Sequence, residues 1–104
     1  MNKQDALEKI EKHRAEIDAV DREIVELLNR RAGLSIAIRR LKPVAGMELF
    51  DPSREDAIYE KICNANADTS DGASSGILCD AGLKEIYATI LKVMKENPDR
   101  RSNN

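Results

Sequence analysis

The chain is poor in the residues that most often announce a site. Its 104 residues include no tryptophan, one histidine, two cysteines and three aromatics, Phe50, Tyr59 and Tyr87. So few aromatics leave little on which bases could stack. Charge of one sign is lacking as well: 17 basic and 19 acidic residues leave a net −2, and basic runs stop at the pairs Arg30-Arg31, Arg39-Arg40 and Arg100-Arg101. A nucleic-acid partner is therefore not expected. No apolar stretch approaches the roughly 20 residues of a membrane span, and Met1-Asn2-Lys3-Gln4-Asp5 lacks the apolar core of a secretory signal. The expectation is a cytoplasmic protein with no membrane partner. Cys63 and Cys79 are too few and too far apart for a zinc motif, and His13 is remote from both. No metal and no cofactor is expected, and free thiols are the reading for the two cysteines rather than a disulfide.

Helix is what the sequence does contain. The first forty residues have no proline and one glycine, with apolar residues at Leu7, Ile10, Ile17, Ile24, Leu28 and Ile38 on a heptad frame. Pro43 ends that pattern, because it restricts Lys42 and has no N–H to donate. The spacing predicts one helix over about 5–41. Residues 43–50 form a connection, and Asp51-Pro52 reads as an N-cap followed by proline at the first helical position. A second helix over about 52–66 turns Ala57, Ile58, Ile62 and Ala65 inward. The small polar run of residues 68–76 reads as a flexible loop. Asp80 is the expected N-cap of a third helix over about 81–96, with Leu83, Ile86, Tyr87, Ile90, Leu91 and Met94 along one side. Asn97-Pro98 stops it, which leaves a helical domain over residues 1–96 and a disordered tail over 97–104.

The expected fold class is thus all-α, with one long and two short helices. The first is the awkward one. At ~1.5 Å per residue it would run ~55 Å, whereas a compact chain of this size has a radius of gyration of about 13 Å. Its apolar stripe must meet another chain, so the expected unit is an intertwined helical homodimer.

Polar residues interrupt that stripe at Arg14, Asp21, Arg31, Ser35 and Lys42. Cations at inward positions are costly unless an anion meets them. One reading has their stems snorkel to water or pair with acids a turn away, as Glu11 and Asp18 could beside Arg14. The other has them gather on a ligand. Arg31 and Lys42 lie about 20° apart around an ideal helix and ~16 Å apart along it, within the joint reach of two long side chains on one small molecule. Arg14, ~25 Å from Arg31 along the same axis, could join them only from an antiparallel partner. Asp51, Arg54 and Glu55 form a second cluster, readable as a helix cap with acids near the positive helix end or as carboxylates for a substrate hydroxyl. Taken together, four cations against two acids suit a small dicarboxylate.

The spacing Arg14-x16-Arg31-x10-Lys42-x8-Asp51-x2-Arg54-Glu55, with the surrounding words Arg14-Ala-Glu-Ile-Asp-Ala-Val-Asp21, Ile24-Val-Glu-Leu-Leu-Asn-Arg-Arg31 and Asp51-Pro-Ser-Arg-Glu55, resembles the all-helical chorismate mutase family. The likeness is close over about residues 7–62 and loose over 77–96. It implies a homodimer with shared sites that converts chorismate to prephenate in phenylalanine and tyrosine biosynthesis. By the same resemblance, Arg31 and a partner-chain Arg14 hold the substrate carboxylates, and Lys42 donates to the ether oxygen and a carboxylate. Asp51 and Glu55 take the ring hydroxyl, and Arg54 orients this group.

One departure stands in the third helix. The family usually has a serine there and, four residues later, a glutamine or glutamate that shares the ether oxygen with the lysine. Here Met94 and Pro98 occupy those positions, and neither side chain can donate. Catalysis then relies on Lys42 alone, or Lys95 or Glu96 approaches the site instead, or the activity is lost or changed. The alternatives are an isochorismate pyruvate-lyase-like enzyme, and a catalytically weak helical dimer that binds a carboxylate ligand or a partner enzyme.

Overall fold

The structure, a computed structural model, describes residues 1–68 and 76–100. Among them every regular element is helical: α1 (Lys3–Leu41), α2 (Pro52–Asp68) and α3 (Asp80–Glu96). The all-α reading with one long and two short helices is borne out. The expected loop over 68–76 falls almost wholly outside the described residues, and of the expected tail over 97–104 residues 101–104 fall outside them, while Asn97 and Asp99 take contacts from the end of α1. The chain divides into two units, Met1–Ala37 and Ile38–Asn104, so that α1 contributes to both.

The first unit is helix alone. Asn2 starts it two residues earlier than its apolar pattern does: Asn2 Oδ1 accepts the Asp5 N–H at 2.8 Å, and the Asn2 carbonyl accepts from Ala6 at 3.1 Å. These contacts satisfy N–H groups that the first turn would otherwise leave open. None of the 39 residues of α1 is buried. Leu7, Ile10, Ile17 and Ile24, all on the heptad frame, stand between 44 % and 57 % exposed.

The second unit opens where α1 ends. Pro43 supplies no N–H, yet the backbone winds on: Ala45 donates to the Leu41 carbonyl at 3.0 Å and Met47 to the Lys42 carbonyl at 2.8 Å. Gly46, at φ 72°, takes the left-handed conformation that closes this turn. Asp51 then caps α2, with Pro52 as its first residue, as the Asp51-Pro52 pair predicts. The start of α3 differs from expectation. Cys79, in extended conformation, is its N-cap, with Sγ accepting the Gly82 N–H at 3.3 Å, and Asp80 is the first helical residue. Gly82 permits this, since a Cβ there would sit 3.3 Å from the sulfur. Asp80 still lies in the first turn, where its charge suits the helix dipole.

α3 packs on α2, and Leu91 and Met94, each 7 % exposed, are the buried residues among those described in this unit. Ala57, Ile58, Ile62, Leu83, Tyr87 and Ile90 are half-buried around it, whereas Ala65 and Ile86 are exposed. The last turn of α1 ties down the far end of α3. Arg39 donates from Nη2 to the Met94 carbonyl at 2.7 Å and from Nη1 to the Asn97 carbonyl at 2.9 Å. These are terminal carbonyls that carry the negative end of the helix dipole. Arg40 pairs with Asp99 through two hydrogen bonds of 2.5 Å. Because a charged donor on partly buried carbonyls contributes about 2 kcal/mol, Arg39→Ala is expected to lower the unfolding free energy by that amount in urea titrations at fixed protein concentration. Arg40→Ala, whose side chain is 44 % exposed in its pair with Asp99, should lower it less. Equal losses would show that Arg39 is not the principal tie between these elements.

Candidate active site

The charged positions singled out in the sequence fall in both units. Arg14 and Arg31 belong to the first. Arg14 Nη1 pairs with Glu11 Oε1 at 3.2 Å on its own exposed helix face, and Arg31 is half-buried. Lys42, Asp51, Arg54, Glu55 and Met94 belong to the second.

There the turn after α1 and the first turn of α2 position the polar groups. Lys42 Nζ donates to the Leu49 carbonyl at 2.8 Å, which uses one of its three N–H bonds and spans the connection from within. Asp51 Oδ1 accepts from Ser53 Oγ at 2.6 Å and from the Arg54 N–H at 3.2 Å. The Ser53 hydroxyl, followed by the Arg54 N–H and helped by the charge of Lys42, holds the Asp51 carboxyl below the usual carboxylate range. Asp51 is therefore an ionised acceptor at neutral pH. One turn on, the Glu55 N–H reaches the Asp51 carbonyl at 3.3 Å. The Glu55 carboxylate forms an ion pair with Lys95 Nζ, and that ammonium also stands 4.5 Å from the centroid of the Phe50 ring. The Arg54 side chain is exposed, while Met94 is buried, with its carbonyl on Arg39.

Of the two residues that a shifted register in the third helix could bring in, Lys95 is the one that meets a predicted site residue. Glu96 is exposed. Sequence reasoning passes over Ser53 and Phe50. Ser53 is legible: a hydroxyl two residues after an N-cap aspartate is a recurrent local partner for its carboxylate. Phe50 is not, because its contact with Lys95 joins residues 45 apart in the chain. Among the described residues no group of three His, Cys, Asp or Glu side chains could hold a metal ion, and no helix is long and apolar enough to cross a membrane.

The sequence model of the family described as chorismate mutase type II matches residues 13–97. Over 85 residues the chain is 35 % identical to the bifunctional chorismate mutase/prephenate dehydratase of Aquifex aeolicus, a match that covers 82 % of this chain and 22 % of that protein. It is 34 % identical over 56 residues to the chorismate mutase of Methanocaldococcus jannaschii, covering 54 % and 57 % of the two. The chain thus matches about a fifth of one curated relative and somewhat over half of the other. Among solved structures it superposes on chorismate mutase from Thermus thermophilus in two forms. Form II gives a TM-score of 0.72 at 27 % identity, with 88 % of this chain and 96 % of that one covered. Form I gives 0.71 at 29 % identity, with 83 % and 98 % covered.

The lowered Asp51 carboxyl has a consequence for pH. A carboxylate whose folded pKa lies below its unfolded value of about 3.9 adds stability above that value and loses it as pH falls through the folded one. Removing the Ser53 hydroxyl takes away the largest cause. Ser53→Ala is expected to move the Asp51 midpoint upward, toward the ordinary range, in a carboxyl-carbon NMR titration. An unmoved midpoint would assign the effect to the Arg54 N–H instead.

Proposed function

The chain belongs to the chorismate mutase type II family, and from that premise we propose that it rearranges chorismate to prephenate, in the cytoplasm, as an intertwined homodimer with shared sites. The observation that carries this reading is the extent of the family match. It spans residues 13–97 and with them all six charged positions, Arg14, Arg31, Lys42, Asp51, Arg54 and Glu55. The exposed stripe of α1 supports the dimer, since a second copy offers a matching apolar face.

The reaction is a concerted [3,3] rearrangement, so no nucleophile or general base is needed. The site must select the folded diaxial substrate and stabilise negative charge on the ether oxygen as the C–O bond breaks. Arg31 and Arg14 of the partner subunit hold the two carboxylates. Lys42 donates to the ether oxygen with an N–H not used by Leu49. Asp51 and Glu55 accept from the ring hydroxyl, and Arg54 fixes their orientation. One preorganised donor of this kind is worth ~3 kcal/mol in the transition state.

Loss of chorismate absorbance with prephenate identified as product tests the reading. No turnover of chorismate by the purified protein would reject it, and turnover of isochorismate alone would transfer it to the lyase chemistry. Lys42→Ala is expected to lower kcat by about 100-fold while KM moves far less. A near-normal kcat with a raised KM would contradict the transition-state role. Mixed Arg14→Ala and Arg31→Ala chains should regain activity, because each heterodimer rebuilds one intact site. Continued silence with proven subunit exchange would reject the shared site.

A further inference from the structure

The Glu55–Lys95 pair is not among the contacts that the proposed reaction assigns. Glu55 stands in the first turn of α2 and Lys95 in the last turn of α3, 40 residues later, so the pair exists only because α3 packs on α2. It is partly shielded: the Glu55 side chain is 26 % exposed and that of Lys95 49 %. The Lys95 ammonium is also held from a third element, since the Phe50 ring lies beneath it at 4.5 Å. A lysine with two partners loses much of the freedom that makes a solitary surface ion pair weak.

We infer that Lys95 is a positioning and specificity residue that holds Glu55 for the substrate's ring hydroxyl and cancels its charge toward a dianionic substrate. The inference rests on the function proposed above. A carboxylate offers about four lone-pair sites, so Glu55 can keep Lys95 on one oxygen and accept a neutral hydroxyl on the other. Without Lys95 the same carboxylate would repel the two carboxylates of the substrate. With it, the hydroxyl acceptor stays ionised and oriented, yet presents little net charge. α3 then serves the site by a route other than a side-chain donor at Met94 or Pro98.

The test is Lys95→Met, which keeps the apolar stem and removes the charge, with thermal melting to establish that the variant folds. It should raise KM for chorismate about 5- to 10-fold with kcat nearly unchanged, and the difference from wild type should shrink in high salt. Lys95→Arg should recover most of the affinity. Adding Lys95→Met to Glu55→Gln should weaken binding no further than Glu55→Gln alone, because Lys95 acts through that carboxylate. Three results would overturn the inference in a folded, active protein: an unchanged KM for Lys95→Met, effects of the two substitutions that simply multiply, or a fall in kcat at constant KM, which would make Lys95 a direct donor to the ether oxygen. Wild-type protein that turns over no chorismate would instead reject the proposed function, and the role of Lys95 with it.

Discussion

The structure depends on a long helix that buries none of its own residues. α1 runs for 39 residues without burying one, while its heptad stripe presents Leu7, Ile10, Ile17 and Ile24 half-exposed. Apolar area in water is worth roughly 25 cal/mol per Å² when removed from it, so a stripe of this length is a strong demand for a second surface. In the proposed dimer the stripe meets its own copy. The interruptions at Arg14 and Arg31 then fall where two chains meet, and the requirement for a partner and the requirement for a dianion become the same requirement. Cations on an interface are tolerable when an anionic ligand or nearby acids answer them.

The second unit solves a different problem, that of bringing opposite charges close together without neutralising all of them. Within the stretch from Arg39 to Glu55 the chain ends a helix, turns on Gly46 and starts another helix at Pro52. That economy places Lys42, Asp51, Arg54 and Glu55 on two adjacent turns. Each acid has its own partner: Ser53 and the Arg54 N–H for Asp51, Lys95 for Glu55. Lys42 donates to a backbone carbonyl rather than to a carboxylate. Its charge also favours the Asp51 carboxylate, while the two N–H bonds not spent on Leu49 are what the proposed site would turn to a developing oxyanion.

What can be read from the sequence are the features set by neighbouring residues. Pro43 and the Asp51-Pro52 pair act through their own dihedrals and N–H groups, so the end of α1 and the start of α2 are legible, as is the all-helical class from apolar residues at helical spacing. The start of α3 differs by one residue from its sequence signal, because a thiol is a weaker acceptor than a carboxylate and Asp80 looks the better cap. Cys79 prevails since Gly82 leaves room for its sulfur. Of the charged positions of the candidate site, Arg14, Arg31 and Lys42 are visible as polar breaks in an apolar stripe and Asp51, Arg54 and Glu55 as a cluster at a helix start. Contacts between distant segments are not: Arg39 with the carbonyls of Met94 and Asn97, and Lys95 with Glu55 and Phe50, join segments 40 to 58 residues apart, and no periodicity encodes such contacts.

Those distant contacts bear on the departure in α3. Met94 is 7 % exposed on α3, so its side chain fills core volume that a serine would leave empty. Pro98 follows the Asn97 cap, at a point where the helix has already ended and its last carbonyls are held by Arg39. A donor from this stretch is thus given up for a firmer helix end. Fixing that end also fixes Lys95, which sits between Met94 and Asn97 and faces Glu55. In the proposed site α3 contributes a charge to the carboxylate that binds the hydroxyl, and the ether oxygen is left to Lys42. Under such a division of labour the arginines of α1 hold the carboxylates, α3 tunes the acceptor for the hydroxyl, and stabilisation of the transition state depends on Lys42 just beyond the end of α1.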